Sequence, residues 1–202
     1  MTSTLLTKLS TDWLDVKNKC RTTVNKGDST VPVTSEFKRK ILLSEHSPIR
    51  LLRIAWKWLN IKYWLSTEFC RHHIGWEKWI STQRDDRTSI DRNSSPQDTP
   101  VVMSIEANVQ ALINVSRFRM CNCAHKEARE YIENLKRELH KTEPEIAEVM
   151  QRNCVYRCGC PEFIPCGWWN SFVERHKDIN MVDISSRYKA ANKEFYETGH
   201  NQ

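Results

Sequence analysis

Apolar residues along this chain recur at two spacings, and the switches between them mark out its elements. Leu52, Ile54, Trp56 and Trp58 alternate with Arg53, Ala55 and Lys57, the two-residue period of a strand with one buried face, which Asn60 is expected to end. From Ser35 the spacing of Phe37, Ile41 and Leu42 is helical, with Ser35 as the expected cap, until the stretch from Ser44 to Pro48 breaks it. Residues 62–72 read as a helix that puts Glu68 and Arg71 on one face and leaves Arg71, His72 and His73 at its end. Residues 76–84 read as extended. Within 103–118, Ile105, Val109, Leu112 and Ile113 recur at helical spacing. A longer helical pattern through Tyr131, Ile132, Leu135 and Leu139 covers 124–150, broken or restarted at Pro144.

The rest is less patterned. A short N-terminal helix is followed by a loop over 20–34, with Gly27 and Pro32. Residues 88–100, with two prolines and several Ser, Asp and Asn, form a loop of the kind that covers ligands as often as it stands idle. Residues 167–202 are polar and predict short helices and a frayed end. No repeat or low-complexity tract occurs. The expected division is an N-terminal helix and loop (1–34), a central body (35–166) and a C-terminal extension (167–202) packed on the same domain.

The length of 202 residues fits one ordinary domain with a real core. With 31 Lys and Arg against 25 Asp and Glu, the net charge of +6 favours anionic partners, yet the charges are interspersed and no basic face stands out. That balance suits phosphorylated small molecules as well as nucleic acid. Five of the eight tryptophans, Trp56, Trp58, Trp64, Trp76 and Trp79, fall between residues 56 and 79, where large rings build core or a subunit interface. Residues 1–19 carry Asp12 and Asp15 and no continuous apolar block, so neither a signal peptide nor a membrane span is expected and the compartment is taken as the cytoplasm. There the eight cysteines stay reduced. Cys154, Cys158, Cys160 and Cys166, with Cys121, Cys123 and His125 elsewhere, supply soft ligands for zinc but lack paired two-residue knuckles. Buried thiols are the simpler reading and no metal is expected.

The candidate chemistry lies in Arg71-His72-His73, followed by Thr82-Gln83-Arg84. Basic residues at a helix end are usually a solvated cap. Here, however, forked guanidinium donors recur at Arg71, Arg84, Arg87, Arg117, Arg119 and Arg129, in three separated segments, as a phosphate pocket between elements requires. A nucleotide-handling enzyme is the function this pattern favours.

These residues resemble the flavin-dependent thymidylate synthases, in particular their shorter, phage-like branch. That signature runs RHR, a spacer, then Ser-x-Arg; here RHH runs to Thr82-Gln83-Arg84 with one extra spacer residue. Upstream, Glu45-His46-Ser47-Pro48 is similar to the family's histidine-containing turn. Downstream, Arg119-x4-Ala124-x2-Glu127-x-Arg129 matches at the family's spacings, with Asn108 and Leu112 also in place, so the likeness covers roughly residues 36–145. The third signature residue is His73 instead of Arg, Trp76 and Lys78 replace Ser and Asn in the spacer, Glu68 replaces Gln, and Arg117 stands where an Asn often contacts flavin.

The resemblance implies an α/β (α+β) fold with an antiparallel sheet flanked by long helices, and a central body that binds flavin and nucleotide. It implies FAD contacts from Arg71, His72, His73, Ser47 and Arg119, and a dUMP site formed by Glu68, Arg71, Thr82, Gln83, Arg84 and Arg129. It further implies NADPH and methylenetetrahydrofolate as co-substrates, reductive methylation of dUMP to dTMP, and a homotetramer. No protein nucleophile is assigned, because Thr82 has no base beside it in sequence. His46 and His125 are expected to be structural. The alternatives are a flavin enzyme methylating or hydroxymethylating another pyrimidine nucleotide and, from a different class, a zinc-stabilised nucleic-acid-binding module.

Overall fold

The computed structural model describes residues 3–198. At its centre is the alternating strand, β2 (Arg53–Lys62), whose inward residues Ile54, Trp56, Trp58 and Ile61 are fully buried. It pairs antiparallel with β1 (Ser3–Ser10) on one side and β4 (Pro100–Asn108) on the other, and β3 (Trp76–Ile80) completes the sheet in the order β1-β2-β4-β3. The register sets Trp56 opposite Ile105 and Trp58 opposite Met103.

Three expectations are corrected here. Asn60 does not end β2: it takes a left-handed φ of 57°, the register shifts between Trp58 and Ile61, and pairing resumes at Ile61 opposite Val101, which is a bulge, not a terminus. The segment from 103 is strand before it is helix. Val101, Met103, Ile105 and Ala107 all point inward, and helix α4 (Val109–Arg119) starts only where the Asn108 side chain accepts the Ala111 N–H at 2.8 Å. The N-terminus opens with β1, not a helix, and only then forms α1 (Trp13–Thr22), capped by Asp12.

Helix α2 (Ser35–Leu43) has Thr34 as its cap, since Thr34 Oγ1 accepts the Phe37 N–H; the Ser35 hydroxyl instead donates to the Glu145 carboxylate. A short 3-10 helix (Ser47–Leu51) leads into β2, and α3 (Tyr63–Cys70) follows it. Pro144 does restart the long helical segment, giving α5 (Lys126–His140) and α6 (Pro144–Val149). After α7 (Asn153–Arg157) the extension forms α8 (Trp168–Arg175) and a 15-residue α9 (Ile184–Thr198), longer than its weak pattern suggested. Tyr188, Ala190 and Ala191 bury α9 against the core. The expected frayed end beyond residue 198 lies outside the described residues.

The tryptophan cluster divides. Trp56, Trp58 and Trp76 are fully buried, with Trp58 packed 4.5 Å from the Phe69 ring of α3 and 5.2 Å from Tyr131 of α5. Trp79 stays 60% exposed on the outer face of the sheet. No helix among the described residues is long and apolar enough to cross a membrane.

Candidate active site

Helix α3 stops at Cys70, Arg71 caps it, and the chain turns through His72 and His73 to Gly75, whose φ of 66° belongs to glycine. Gly75 O accepts the Asn108 N–H at 2.9 Å, so the turn is tied to the start of α4. A Cβ on Gly75 would overlap the Asn108 amide that caps that helix. Gly75→Ala should therefore lose about 2–3 kcal/mol, combining the left-handed penalty with a damaged cap. Urea denaturation checks this, and a loss below about 1 kcal/mol would show that the turn yields instead.

Arg119, from the last turn of α4, is the hub. Its Nε–H donates to His72 Nε2 at 3.1 Å, one terminal nitrogen to Glu68 Oε2 at 3.1 Å, and the other to the Glu68 backbone oxygen at 3.1 Å. The side chains of Arg119 and Glu68 are 16% and 27% exposed, so this pair is shielded more than a surface ion pair. Since Arg119 always donates, His72 Nε2 must accept, and the imidazole proton sits on Nδ1. Burial first, then Arg119, Lys78 and His73, pull the His72 pKa down to about 4, so the ring is neutral at pH 7. Lys78 Nζ donates to the His72 backbone oxygen at 2.7 Å, and His73 Nδ1 lies 3.1 Å from the Arg71 oxygen.

The Arg71 guanidinium is exposed and makes no hydrogen bond or ion pair among the described residues. Burial holds the Arg119 pKa below its ordinary value, Glu68 opposes that, and the Arg71 charge adds to the lowering. Cations outnumber carboxylates here, and the one unengaged fork points to an anion as its partner.

The other candidates make no hydrogen bond or ion pair with the hub among the described residues. Ser81 extends the β3 ladder by exchanging two hydrogen bonds with Val102, and the exposed loop then carries Thr82, Gln83 and Arg84. Thr82 Oγ1 accepts the Arg84 N–H at 3.1 Å, and the Arg84 fork is taken by Asp86 at 2.8 and 2.6 Å. Gln83 Nε2 is buried with no partner. Arg129 stands on α5, 3.8 Å from Glu133, in a different cleft. No hydrogen bond or ion pair links Arg71, Arg84 and Arg129 within the described chain. Ser47 is exposed at the start of the 3-10 helix, and Arg117 is buried against Glu45 with its guanidinium 3.4 Å from the Tyr156 ring. His125 caps α5 through its Nδ1 and packs on Trp64, a structural role.

Sequence reasoning gave no role to Lys78, Gly75 or Asp86, although Lys78 stood out as a departure in the spacer and Gly75 as one of five glycines in the chain, placed just after the basic trio. Among the described residues no three His, Cys, Asp or Glu side chains converge as a metal site. Cys154 is buried and its thiol is pushed up to about 12 by burial, whereas Cys158 donates to the Met181 oxygen and Cys166 is exposed.

A four-stranded antiparallel sheet flanked by helices, with a basic hub between α3 and α4, gives this chain the fold of the flavin-dependent thymidylate synthases. Thymidylate synthase X from Helicobacter pylori, solved with FAD and dUMP, superposes with a TM-score of 0.59 at 11% identity, over 75% of this chain and 98% of that one. A second structure of the Helicobacter pylori enzyme with FAD and dUMP gives 0.57 at 12% identity, over 69% and 96%. The UMP/dUMP methylase PolB from Streptomyces cacaoi, bound with 5-Br dUMP, gives 0.58 at 13% identity, over 74% and 94%. No protein-family model matches the sequence, and neither does any curated protein.

Proposed function

We propose that the protein is a flavin-dependent enzyme acting on dUMP, methylating it to dTMP with FAD as cofactor and NADPH and methylenetetrahydrofolate as co-substrates. The observation that carries this is the Arg119 hub, which joins residues of two motifs about fifty positions apart in one partly buried, cation-rich cluster. The shared fold of structures that hold FAD and dUMP supports it.

The residues fit a flavin dinucleotide. Arg71, His73 and Arg119 would offer donors to the anionic cofactor, and neutral His72 keeps Arg119 oriented without adding a charge. When bound, the flavin supplies the hydride that completes the methyl group. The chain's own groups bind and orient. Thr82, Gln83 and Arg84 would line the nucleotide, with Asp86 yielding the Arg84 fork to phosphate and Gln83 Nε2 gaining the acceptor it lacks. Glu68 and Arg129 would complete that site, and Ser47 would add a flavin contact. Because Arg84 and Arg129 make no hydrogen bond or ion pair with the hub within one described chain, the full site is best assembled from neighbouring copies, as in a homotetramer.

Purified protein given FAD should hold it through desalting, and dUMP should then perturb the flavin absorbance. Protein that stays colourless refutes the proposal. Incubation with dUMP, UMP and dCMP, followed by mass analysis, separates thymidylate synthesis from modification of another pyrimidine, an option favoured by Glu68 engaging Arg119.

A further inference from the structure

Four oxidisable rings form a continuous line through the core. It starts at the hub, where the neutral His72 imidazole lies 5.9 Å from the Trp76 indole, centroid to centroid. Trp76 is 5.1 Å from Trp56, Trp56 is 5.7 Å from Trp58, and Trp58 is 5.2 Å from the Tyr131 phenol on α5. These separations, with interplanar angles of 76°, 65° and 61°, are those of aromatic rings in edge-to-face contact. All three indoles are fully buried and Tyr131 is only 5% exposed. Phe69 also lies 4.5 Å from Trp58 and 6.5 Å from Trp76, but a benzene ring is much harder to oxidise than an indole or a phenol.

Packing accounts for the burial of these rings. It does not account for the indole N–H groups of Trp56, Trp58 and Trp76, all three buried without an acceptor, because phenylalanine would fill a core with no donor to leave unpaired. The missing acceptors have a chemical consequence. An indole that loses an electron normally sheds its N–H proton and becomes a weaker oxidant; with no group to receive that proton it stays a cation and passes the electron deficit on. Tyr131 differs in having somewhere to send a proton. Its hydroxyl donates to the Asn60 backbone oxygen at 3.5 Å, and Glu127 stands one turn back on α5. Burial first, then the Glu127 and Glu130 carboxylates, hold the phenol pKa above its ordinary value, so Tyr131 keeps its proton at neutral pH until it is oxidised.

From this geometry we propose that Trp76, Trp56, Trp58 and Tyr131 are an electron-transfer path that drains one-electron oxidising equivalents from the hub to α5. A one-electron oxidant at the hub takes an electron from the Trp76 indole. Trp56 then refills Trp76, Trp58 refills Trp56, and Tyr131 refills Trp58, its O–H bond breaking as the proton passes to Glu127. A small external reductant such as ascorbate restores the phenol, the electron coming from the reductant and the proton returning from Glu127. The path needs no flavin; only the identity of the oxidant rests on the flavin reading, since a flavin held at the hub and excited by light is one. The path also gives Trp76 a purpose at a spacer position where the family it resembles carries Ser.

A laser flash on the full chain without flavin, at the red edge of tryptophan absorption where tyrosine does not absorb and with a scavenger for the ejected electron, creates indole radicals and tests the path. Transient absorption should show the indole-radical signal giving way to a tyrosyl-radical signal at a rate independent of protein concentration. Tyr131→Phe should remove at least half of the tyrosyl signal, and Trp58→Phe should slow its appearance at least tenfold. An unchanged tyrosyl yield in Tyr131→Phe, or an unchanged rate in Trp58→Phe, would overturn the proposal. If Trp58→Phe fails to fold, Tyr131→Phe decides, because it keeps the ring and removes only the hydroxyl. With FAD bound, blue light should produce the same tyrosyl radical, and Trp76→Phe should lower its yield at least tenfold; an undiminished yield overturns the hub as the point of entry. Failure to hold FAD would sink the enzyme reading while leaving the flavin-free result intact.

Discussion

Trp58→Ala should destabilise the fold by about 3–5 kcal/mol, the range for deleting a large buried aromatic side chain. The ring is fully buried and touches Trp56 at 5.7 Å, Phe69 at 4.5 Å and Tyr131 at 5.2 Å, so its loss opens a cavity where β2, α3 and α5 meet. Trp58→Phe should cost less than half as much. It keeps most of the contact area and removes an indole N–H that is buried without an acceptor. Urea midpoints at unchanged slope measure both, and a Trp58→Ala loss below about 1 kcal/mol would mean the core repacks around the gap.

Arg119→Leu should weaken flavin binding at least tenfold and raise the His72 pKa. The first outcome follows from losing charge-assisted bonds worth about 1.5–3 kcal/mol each. The second follows from sign: Arg119 is among the causes that depress His72, after burial, and its removal also leaves Glu68 free to favour the imidazolium. In the parent chain His72 is held near 4 against an ordinary value of about 6.5. The stability linked to its neutral form is therefore complete above about pH 6.5 and lost as pH falls toward 4. Proton NMR should show His72 silent between about pH 5 and 8 in the parent and titrating in Arg119→Leu. A His72 that titrates normally in the parent would contradict the hub geometry, whatever the flavin result.

Contiguous features were legible in the sequence. The β2 alternation, the basic trio at the end of α3 and the break at Pro144 each depend on neighbours a few residues apart, so local spacing reports them. Strand β4 was hidden because Ile105 and Val109 satisfy helical spacing as well, although Val101, Met103, Ile105 and Ala107 carry the two-residue period. In β1 the register shift between Leu6 and Lys8 interrupts alternation, which hid the strand behind the expected N-terminal helix. The site was legible as a set of residue types but not as an arrangement. Glu68 and Arg71 share a helix, yet the partner Glu68 takes is Arg119, 51 positions away, and nothing local announces that choice. Likewise the carboxylate that occupies Arg84 lies two residues on, in a loop with no periodicity.

The order of strands also has a consequence for how the chain is made. Both strands that flank β2 come from distant sequence: Ser3 pairs with Leu59, and Trp56 must wait for Ile105. Such non-local closure slows folding relative to helix formation. On the ribosome, a nascent polypeptide that has emerged only as far as the 81–99 loop presents Trp56 and Trp58 on a hairpinless strand with one open edge, a surface that chaperones recognise and aggregates exploit. Synthesis rate across residues 60–108 should thus govern soluble yield more than the final stability does.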